Sequence, residues 1–265
     1  MNTGERGVDS RQYRFAFAIE ALSQVPADFV LPSDLGELDA GVFLPRDDAD
    51  WLGRRRYPAR VLLVSDSEAV VVSHSGTADQ TVDQAVRVPL DAIECIEWGR
   101  ILLTGWVVLT WNGGQVRLPY NTRARGPVEK CIRTLEDRWL PAPARETLFA
   151  GAFGEPLDLK FEYARSADLL TGEAPLAQFF QPPPAGDLVL VTSRRLLWIT
   201  ERHKGRYERY GTVSHSARRS SITEVRCIRA GREDRLEIAF RSGDAWHIPL
   251  REEAQSFAAA LEGGL

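Results

Sequence analysis

The chain has 265 residues, of which 44% are hydrophobic and 26% are charged, and its formal net charge is −4. This balance is typical of folded globular proteins and excludes a wholly disordered chain, because there is enough apolar surface to offset the entropy of ordering. The small negative charge predicts no bulk attraction to nucleic acid or to an anionic membrane. Apolar runs are far shorter than the roughly 20 residues of a membrane-spanning helix, and the first residues lack the pattern of a secretion signal. We therefore expect a cytoplasmic protein.

The first predicted element has an ambiguous pattern. Phe15, Ile19 and Leu22 have the spacing of one helix face, and Ser10 would cap such a helix. Residues 13–19 also alternate between apolar and polar side chains as a strand does. We expect a helix here and keep a strand as the alternative.

Predicted strands and one helix then follow as far as residue 140. Two β-branched runs, Val61–Val64 and Ala69–Val72, flank a polar turn and predict a hairpin. A third strand is predicted over residues 86–96, and a second hairpin turns at residues 112–114, where two glycines accept positive φ. Residues 126–140 predict an amphipathic helix, because five apolar side chains share one face: Val128, Cys131, Ile132, Leu135 and Trp139.

The second half of the chain repeats the first. CIEWGR at Cys95–Arg100 recurs as CIRAGR at Cys227–Arg232, and further matches occur at similar offsets in the same order. Small drifts in offset are expected of a duplicated domain with loop insertions. We expect a first domain over residues 1–140, with an N-terminal helical extension, and a second over residues 141–265, joined at the Pro/Ala-rich Pro141–Glu146.

The elements of the second half are predicted from the same patterns. A helix carries Leu157, Phe161 and Ala164, and a final helix carries Ala254, Phe257, Ala258 and Leu261. The predicted hairpins join residues 189–191 to 196–199 and residues 236–240 to 245–248, and a strand covers Ile222–Ile228.

A run of antiparallel strands followed by one amphipathic helix, present twice, resembles the bacterial pleckstrin-homology (PH) and GRAM-like domains. The resemblance rests on LVTSRRLLWI (190–199), SSITEVRCI (220–228), AWHIPL (245–250) and the final helix. It implies a mainly β (α+β) fold of two tandem PH-like antiparallel barrels, each closed by a C-terminal amphipathic helix. It also implies a binding module rather than an enzyme. The basic pair typical of the inositide-binding members is missing from the first strands of both halves.

Charge is distributed unevenly between the halves. Residues 188–232 hold eleven Lys and Arg against three Glu, whereas residues 60–100 hold three Arg against seven acidic residues. Arginine forks match phosphate geometry, and the interleaved Tyr207 and Tyr210 would stack on bases. The candidate binding residues are Arg202, Lys204, Arg206, Arg209, Arg218 and Arg219. A solvated face, and self-association between the acidic first domain and the basic second domain, remain open alternatives.

The sequence contains no complete motif for catalysis or for metal binding. Asp48, Asp50 and Gly53 fit positions 1, 3 and 6 of a calcium loop, but Leu52 and Ala59 supply no ligand at positions 5 and 12. The two VSHS segments lack a nucleophile elbow, and no phosphate-cradling glycine motif is present. We therefore predict no enzyme activity, cofactor or metal.

The leading interpretation is a cytoplasmic protein-binding adaptor or scaffold. Such a module takes an extended partner segment on a strand edge or an aromatic patch. Trp106 and Trp111 lie on opposite faces of their strand, so one of them is expected to be available to a partner. The alternative is a peripheral protein that binds anionic headgroups at the inner face of the membrane through the basic segment of the second domain; single-stranded nucleic acid is the least expected ligand. Cys95, Cys131 and Cys227 are expected to be buried, reduced thiols.

Overall fold

The computed structural model describes residues 10, 13–46, 57–75, 82–140, 151–203, 206–207, 210–230, 233–250, 257 and 261. The protein is mainly β, which confirms the coarse fold class, and nearly all of its strand pairs are antiparallel. In the described residues the sheets are open, so the two closed barrels remain a proposal. The chain packs into two compact units, of which the first comprises residues 1–92 with 119–139 and the second residues 93–118 with 140–265.

The first unit contains one five-stranded antiparallel sheet whose strands pair in chain order. The strands are β1 (Phe17–Ile19), β2 (Leu38–Leu44), β3 (Ala59–Ser65), β4 (Glu68–Ser75) and β5 (Val82–Pro89). The predicted hairpin is confirmed as β3 and β4, whose β-branched residues suit a pleated, buried surface. The core of this unit includes Ile19, Phe29, Phe43, Val61, Leu63, Val70 and Val72.

The N-terminal segment is a strand, so the predicted N-terminal helix was wrong. β1 pairs with β2 in antiparallel register, and only Leu22–Gln24 forms a short 3-10 turn. The segment forms a strand and not a helix because pairing with β2 provides hydrogen bonds for its backbone groups. The pairing also places Phe17 and Ile19 on the core side. The Phe17 ring stacks on Phe43 with 5.0 Å between centroids. Phe15, which the helix would have used, is 74% exposed.

The predicted amphipathic helix is confirmed as α1 (Arg125–Trp139). All five residues of the predicted apolar stripe are buried. Arg138 near its C-terminal end donates to Asp39 at 2.5 Å. Burial of this face is the main stabilising contribution, since a helix of this length is marginal in isolation.

The second unit carries the remaining strands and the helix α2 (Leu159–Asp168). The strands are β6 (Ile93–Ile101), β7 (Thr104–Trp111), β8 (Gly114–Asn121), β9 (Gly151–Gly154), β10 (Pro175–Gln181), β11 (Asp187–Thr192), β12 (Arg195–Thr200), β13 (Arg202–His203), β14 (Arg206–Tyr207), β15 (Gly211–Arg218), β16 (Ile222–Ala230), β17 (Glu233–Phe240) and β18 (Ala245–Leu250). The last residues of β8, from Pro119, belong to the first unit. Eight of these strands form one sheet in the order β8-β7-β6-β15-β12-β11-β10-β9.

The eight-stranded sheet joins strands from both halves of the sequence. β6 pairs antiparallel with β15, from Ile101 opposite Gly211 to Cys95 opposite Ala217. The predicted continuous strand over residues 86–96 was wrong, because a 3-10 turn at Leu90–Ala92 separates β5 from β6. Residues 93–118 therefore pack with the second half of the chain. The predicted linker Pro141–Glu146 lies outside the described residues.

Each face of the eight-stranded sheet is covered. On one face α2 packs Phe161 and Ala164 against the sheet, as its predicted apolar stripe requires. On the other face lies the three-stranded sheet β16-β17-β18, with Leu236, Ile238 and Trp246 in the shared core. Phe257 and Leu261 are helical and buried in the same core, whereas Ala254 and Ala258 of the predicted final helix lie outside the described residues.

Local predictions of turns and thiols have mixed outcomes. Gly113 and Gly243 occupy the predicted hairpin turns with φ of +111° and +88°, where a side chain is strained. Cys95 and Cys131 are buried as expected, and burial raises the pKa of Cys131 to about 12. Cys227 is exposed, contrary to expectation, because it lies on β16 at the edge of the three-stranded sheet.

Candidate interaction surface

The basic segment of the second half forms the two-residue strands β13 and β14, which pair with each other. The Arg202 guanidinium donates from Nε to the Ala185 carbonyl at 3.0 Å and from Nη2 to the Pro184 carbonyl at 3.3 Å. Arg202 therefore fixes the segment to the preceding loop. Arg206, by contrast, is exposed.

The predicted cations do not form a single cluster. Arg218 and Arg219 lie at the opposite end of β15 from the basic segment. At a rise of about 3.3 Å per residue, the seven steps from Gly211 to Arg218 span roughly 23 Å. Lys204 and Arg209 lie outside the described residues. Arg202 and Arg206 lie on the two strands of one short pair but not opposite each other, because Arg202 faces Tyr207 and Arg206 faces His203. Arg218 and Arg219 lie elsewhere.

Two further arginines of the basic region are part of the interior. Arg195 is fully buried, and its Nε and Nη2 donate to the two carboxylate oxygens of Glu173, each at 3.0 Å. Arg194 is buried and donates from Nη2 to the Leu140 carbonyl at 3.1 Å. Both side chains are satisfied by the protein itself, so the sequence count overstates the charge that a partner can reach.

The turn between β6 and β7 exposes two large apolar side chains beside the basic segment. Leu102 and Leu103 are 67% and 66% exposed. Leu102 also has a φ of +51°, and it is the one non-glycine residue with positive φ in the described chain. This conformation places Cβ close to the backbone and costs roughly 1–2 kcal/mol for a residue other than glycine. Glycine or asparagine would satisfy the turn at lower cost.

A shallow groove of about 550 Å³ lies beside these leucines. Its lining consists of Ile101, Leu102, Leu103, Thr104, Trp106 and His203. Trp106 is buried and donates from its indole nitrogen to Glu97. The ring occupies the space where Gly99 lacks a side chain, since a Cβ there would lie 2.0 Å from it. The floor of the groove is therefore rigidly held.

Two exposed arginines lie beside this groove. The Arg117 guanidinium lies 4.9 Å from the centre of the Trp106 ring and is exposed. His203 packs on Trp106 at 4.4 Å and pairs in register with Arg206. Glu97 accepts the hydrogen bond of the indole, and the lining of the groove contains no acidic residue. The surface thus combines an apolar centre with a mainly cationic border.

Of this surface, the sequence predicted Arg206 as a binding residue but missed Arg117 and the apolar part. Two adjacent leucines in ILLTGW, between two β-rich runs, were a usable signal, because turns favour glycine, asparagine and proline. The expectation that Trp106 or Trp111 is exposed was wrong: Trp106 is buried as the floor of the groove, and Trp111 is half-buried. The three-aspartate segment around Asp48 and Asp50 lies outside the described residues.

Comparisons with known proteins add no family. No protein-family model matches the chain, and no curated protein matches it. None of the described helices is long and apolar enough to cross a membrane. Among the described residues, His, Cys, Asp and Glu nowhere form a group of three or more that could hold a metal ion.

Proposed function

We propose that this chain is a non-enzymatic, cytoplasmic interaction module that binds a partner protein in the groove beside Leu102 and Leu103. The partner segment carries an apolar side chain that enters the groove and acidic residues that meet its border. The observation that carries the proposal is the exposed Leu102 held at positive φ. A cytoplasmic location is supported by the three cysteines, which all lie in the described residues and form no disulfide.

The leucines support a binding role because the fold gains little stability from them. The positive φ of Leu102 is unfavourable, and neither side chain is buried. A solvated leucine contributes little to folding, since most of its surface stays in water. A strained backbone conformation that holds an exposed apolar residue is typical of binding sites. Apolar side chains that a partner covers contribute to affinity through the surface that they remove from water.

The charge of the border identifies the chemistry of the partner. Arg117 and Arg206 are exposed cations next to the Trp106–His203 pair, since Arg117 lies over the Trp106 ring and Arg206 pairs with His203. Carboxylates of a partner would form charge-assisted hydrogen bonds with them, and complementary charge raises association rates and selects against basic partners. We therefore propose an acidic segment with an apolar anchor.

We also propose that the two halves are copies of one PH-like unit. In each half four strands are followed by three strands and then by helical residues: β2–β5, β6–β8 and α1 in the first, and β10–β12 with β15, β16–β18 and Phe257 with Leu261 in the second. This shared order supports a duplication. The pairing of β6 with β15 then means that a strand of one copy extends the sheet of the other.

A peptide-display selection tests the proposed function. The purified full chain is immobilised, and a random peptide library is selected on it and on the Leu102→Asn and Leu103→Ser variants. We expect the wild-type chain to enrich peptides that combine an apolar residue with Asp or Glu, and each variant to bind them at least about tenfold more weakly. Leu102→Asn is informative because asparagine tolerates positive φ, so its melting temperature should not fall.

Leu159→Ser provides the matched control, since Leu159 is 84% exposed on α2 of the same unit but lies outside the groove. Enriched peptides should bind this control as tightly as the wild type. Equal loss in the control, or enrichment of basic peptides, would contradict the proposal. Binding to phosphatidylserine vesicles that depends on Leu102, with no peptide enriched, would replace it with the peripheral membrane function.

A further inference from the structure

The helix α2 exposes an apolar pair on the side that is turned away from the sheet. Leu159 and Tyr163 are four residues apart and are therefore neighbours on one side of the helix. Their side chains are 84% and 68% exposed, whereas Phe161 and Ala164 on the opposite side are buried against the sheet. Large apolar side chains that lie together on an exposed helix are typical of a contact with another protein, because a groove can bury them together.

Acidic side chains border this apolar pair. Glu155, Asp158 and Glu162 are exposed around the first turn of α2. Asp158 is the N-cap of the helix and accepts a hydrogen bond from the Phe161 amide at 2.9 Å. Negative charge is favourable near a helix N-terminus, so the fold tolerates these carboxylates here. The exposed surface of α2 therefore has an apolar centre and an acidic border.

The cations of α2 do not change the sign of this border, because both are engaged with the unit itself. The Lys160 ammonium pairs with Glu201, which is buried, and donates to the Gly211 carbonyl at 3.3 Å. The Arg165 guanidinium donates from Nη1 to Gln178 Oε1 at 3.0 Å. Both side chains are directed towards the sheet, so the exposed carboxylates dominate the outer surface of the helix.

The groove of the proposed function has the complementary properties. It exposes Leu102 and Leu103, its lining contains no acidic residue, and the exposed Arg117 and Arg206 lie beside it. The surface of α2 combines apolar side chains with carboxylates, which is the chemistry that this groove is proposed to bind. Both surfaces belong to the second unit, so each copy of the chain carries one of each.

The groove and α2 lie on opposite faces of the eight-stranded sheet. Trp106, the floor of the groove, packs with Val213 of β15. Side chains alternate along a strand, so Val213 shares a face with Ala217, which packs in the core with the three-stranded sheet. The helix packs on the other face. The two surfaces therefore face away from each other, and only a second copy can bring them into contact.

We infer that the chain associates head to tail, with the α2 surface of one copy in the groove of the next. The inference rests on the proposed function, because it names the partner of the same groove. The contact joins two different surfaces, so every added copy leaves one groove and one helix available, and association continues beyond the dimer. A single short helix buries a small area, so the contact is weak and depends strongly on concentration.

Sedimentation velocity of the full chain over a series of micromolar concentrations tests the self-association. We expect the sedimentation coefficient to rise with concentration beyond the value of a dimer. Two double variants each remove one surface: Leu102→Asn with Leu103→Ser, and Leu159→Ser with Tyr163→Ser. Each should associate at least about tenfold more weakly than the wild type. All four side chains are exposed, so the melting temperatures should stay close to that of the wild type.

An equimolar mixture of the two double variants tests the head-to-tail arrangement. One variant keeps its α2 surface and the other keeps its groove, so the mixture should form 1:1 dimers and no larger species. Phe15→Ser is the matched control, because Phe15 is 74% exposed and belongs to the first unit. This control should associate as the wild type does.

Peptide binding separates the inference from the proposed function. The variant changed at Leu159 and Tyr163 keeps its groove, so it should bind peptides selected on the wild type, whereas the groove variant should not. A chain that binds such peptides and stays monomeric at all concentrations would overturn the inference and leave the proposed function in place. A monomeric chain that enriches no peptide would overturn both. Self-association that survives in either double variant, or a mixture that stays monomeric, would also overturn the inference.

Discussion

The turns after β3 and after β11 occupy equivalent places in the two halves but have opposite side-chain environments. In the first, Ser65 Oγ accepts a hydrogen bond from the Glu68 amide at 3.2 Å. In the second, Thr192 Oγ1 accepts one from the Arg195 amide at 2.9 Å. The hydroxyl therefore holds the backbone in the same way at both places, as side chains of this type do in turns.

The residue that ends each turn has a different role. Glu68 pairs with Arg87 at 2.6 Å, and the Arg87 side chain is 40% exposed. Arg195 pairs with Glu173 at 3.0 Å, and both side chains are fully buried. The comparison teaches that the backbone of the turn tolerates either charge, whereas the surrounding packing decides whether that charge is part of the surface or part of the core.

Removal of the buried charge should have the largest effect. We expect Arg195→Met to lower the free energy of unfolding by about 3–5 kcal/mol, because Glu173 would remain buried without its partner. Urea denaturation followed by circular dichroism measures the change. The double variant Arg195→Met with Glu173→Met should recover much of the loss, since no charge is left unpaired. A single variant no less stable than the wild type would show that water replaces the guanidinium.

The second turn leads into β12, and a histidine that packs on β12 should make stability depend on pH. His215 on β15 stacks on Trp198 of β12 at 4.5 Å, and burial lowers the pKa of His215 to about 4. The unfolded chain binds this proton near pH 6.5, so stability should rise with pH between about 4 and 6.5. We expect His215→Phe to lose about 2 kcal/mol less than the wild type when the pH falls across this range, as followed by urea denaturation at several pH values. Parallel pH profiles for the two chains would contradict the assignment.

Removal of the Thr192 hydroxyl should destabilise the protein more than removal of the Ser65 hydroxyl. Thr192→Val leaves the amides of Arg194 and Arg195 without their acceptor and removes the 2.6 Å hydrogen bond to Glu173. We expect a loss of about 2 kcal/mol there and about 1 kcal/mol for Ser65→Ala, because fewer buried groups depend on Ser65. Thermal denaturation of both variants checks the order, and a larger loss at Ser65 would reverse the comparison.

The exposed pair should have the smallest effect. Arg87 contacts Glu68 and Asp34, but the Arg87 and Asp34 side chains are largely solvated. We expect Arg87→Met to change the free energy of unfolding by at most about 1 kcal/mol, and less at high salt. Urea denaturation at low and high ionic strength measures both. A loss comparable with that of Arg195→Met would mean that the first turn depends on its charge as much as the second.

Much of the local structure could be predicted because it follows from patterns of neighbouring residues. The hairpin β3–β4, the turns at Gly113 and Gly243, and the buried stripe of α1 were all visible in the sequence. The pairing of β6 with β15 was not, because alternation shows which face of a strand is apolar and not which strand lies beside it. The N-terminal segment fitted two periods, and its pairing with β2 decided between them.

The candidate sites were harder to predict for a related reason. Arg195 and Arg206 belong to the same basic run, but the partner of Arg195 is Glu173, far upstream in the sequence. Arg195 is buried and Arg206 is accessible to a partner. The composition of the basic run does not show which of its arginines are buried.

The pairing of β6 with β15 also has a consequence during synthesis, because β6 is made long before the strand that pairs with it. A ribosome adds roughly 5–20 residues per second, so β6 emerges several seconds or more before its neighbour β15 has been made. During that interval β6 and β7 exist as a hairpin with an unprotected edge, which is the kind of surface that recruits foreign strands. A chaperone that shields nascent chains would act on this hairpin first. A chain cut after α1 would keep the same edge exposed for as long as it exists, and we expect it to aggregate.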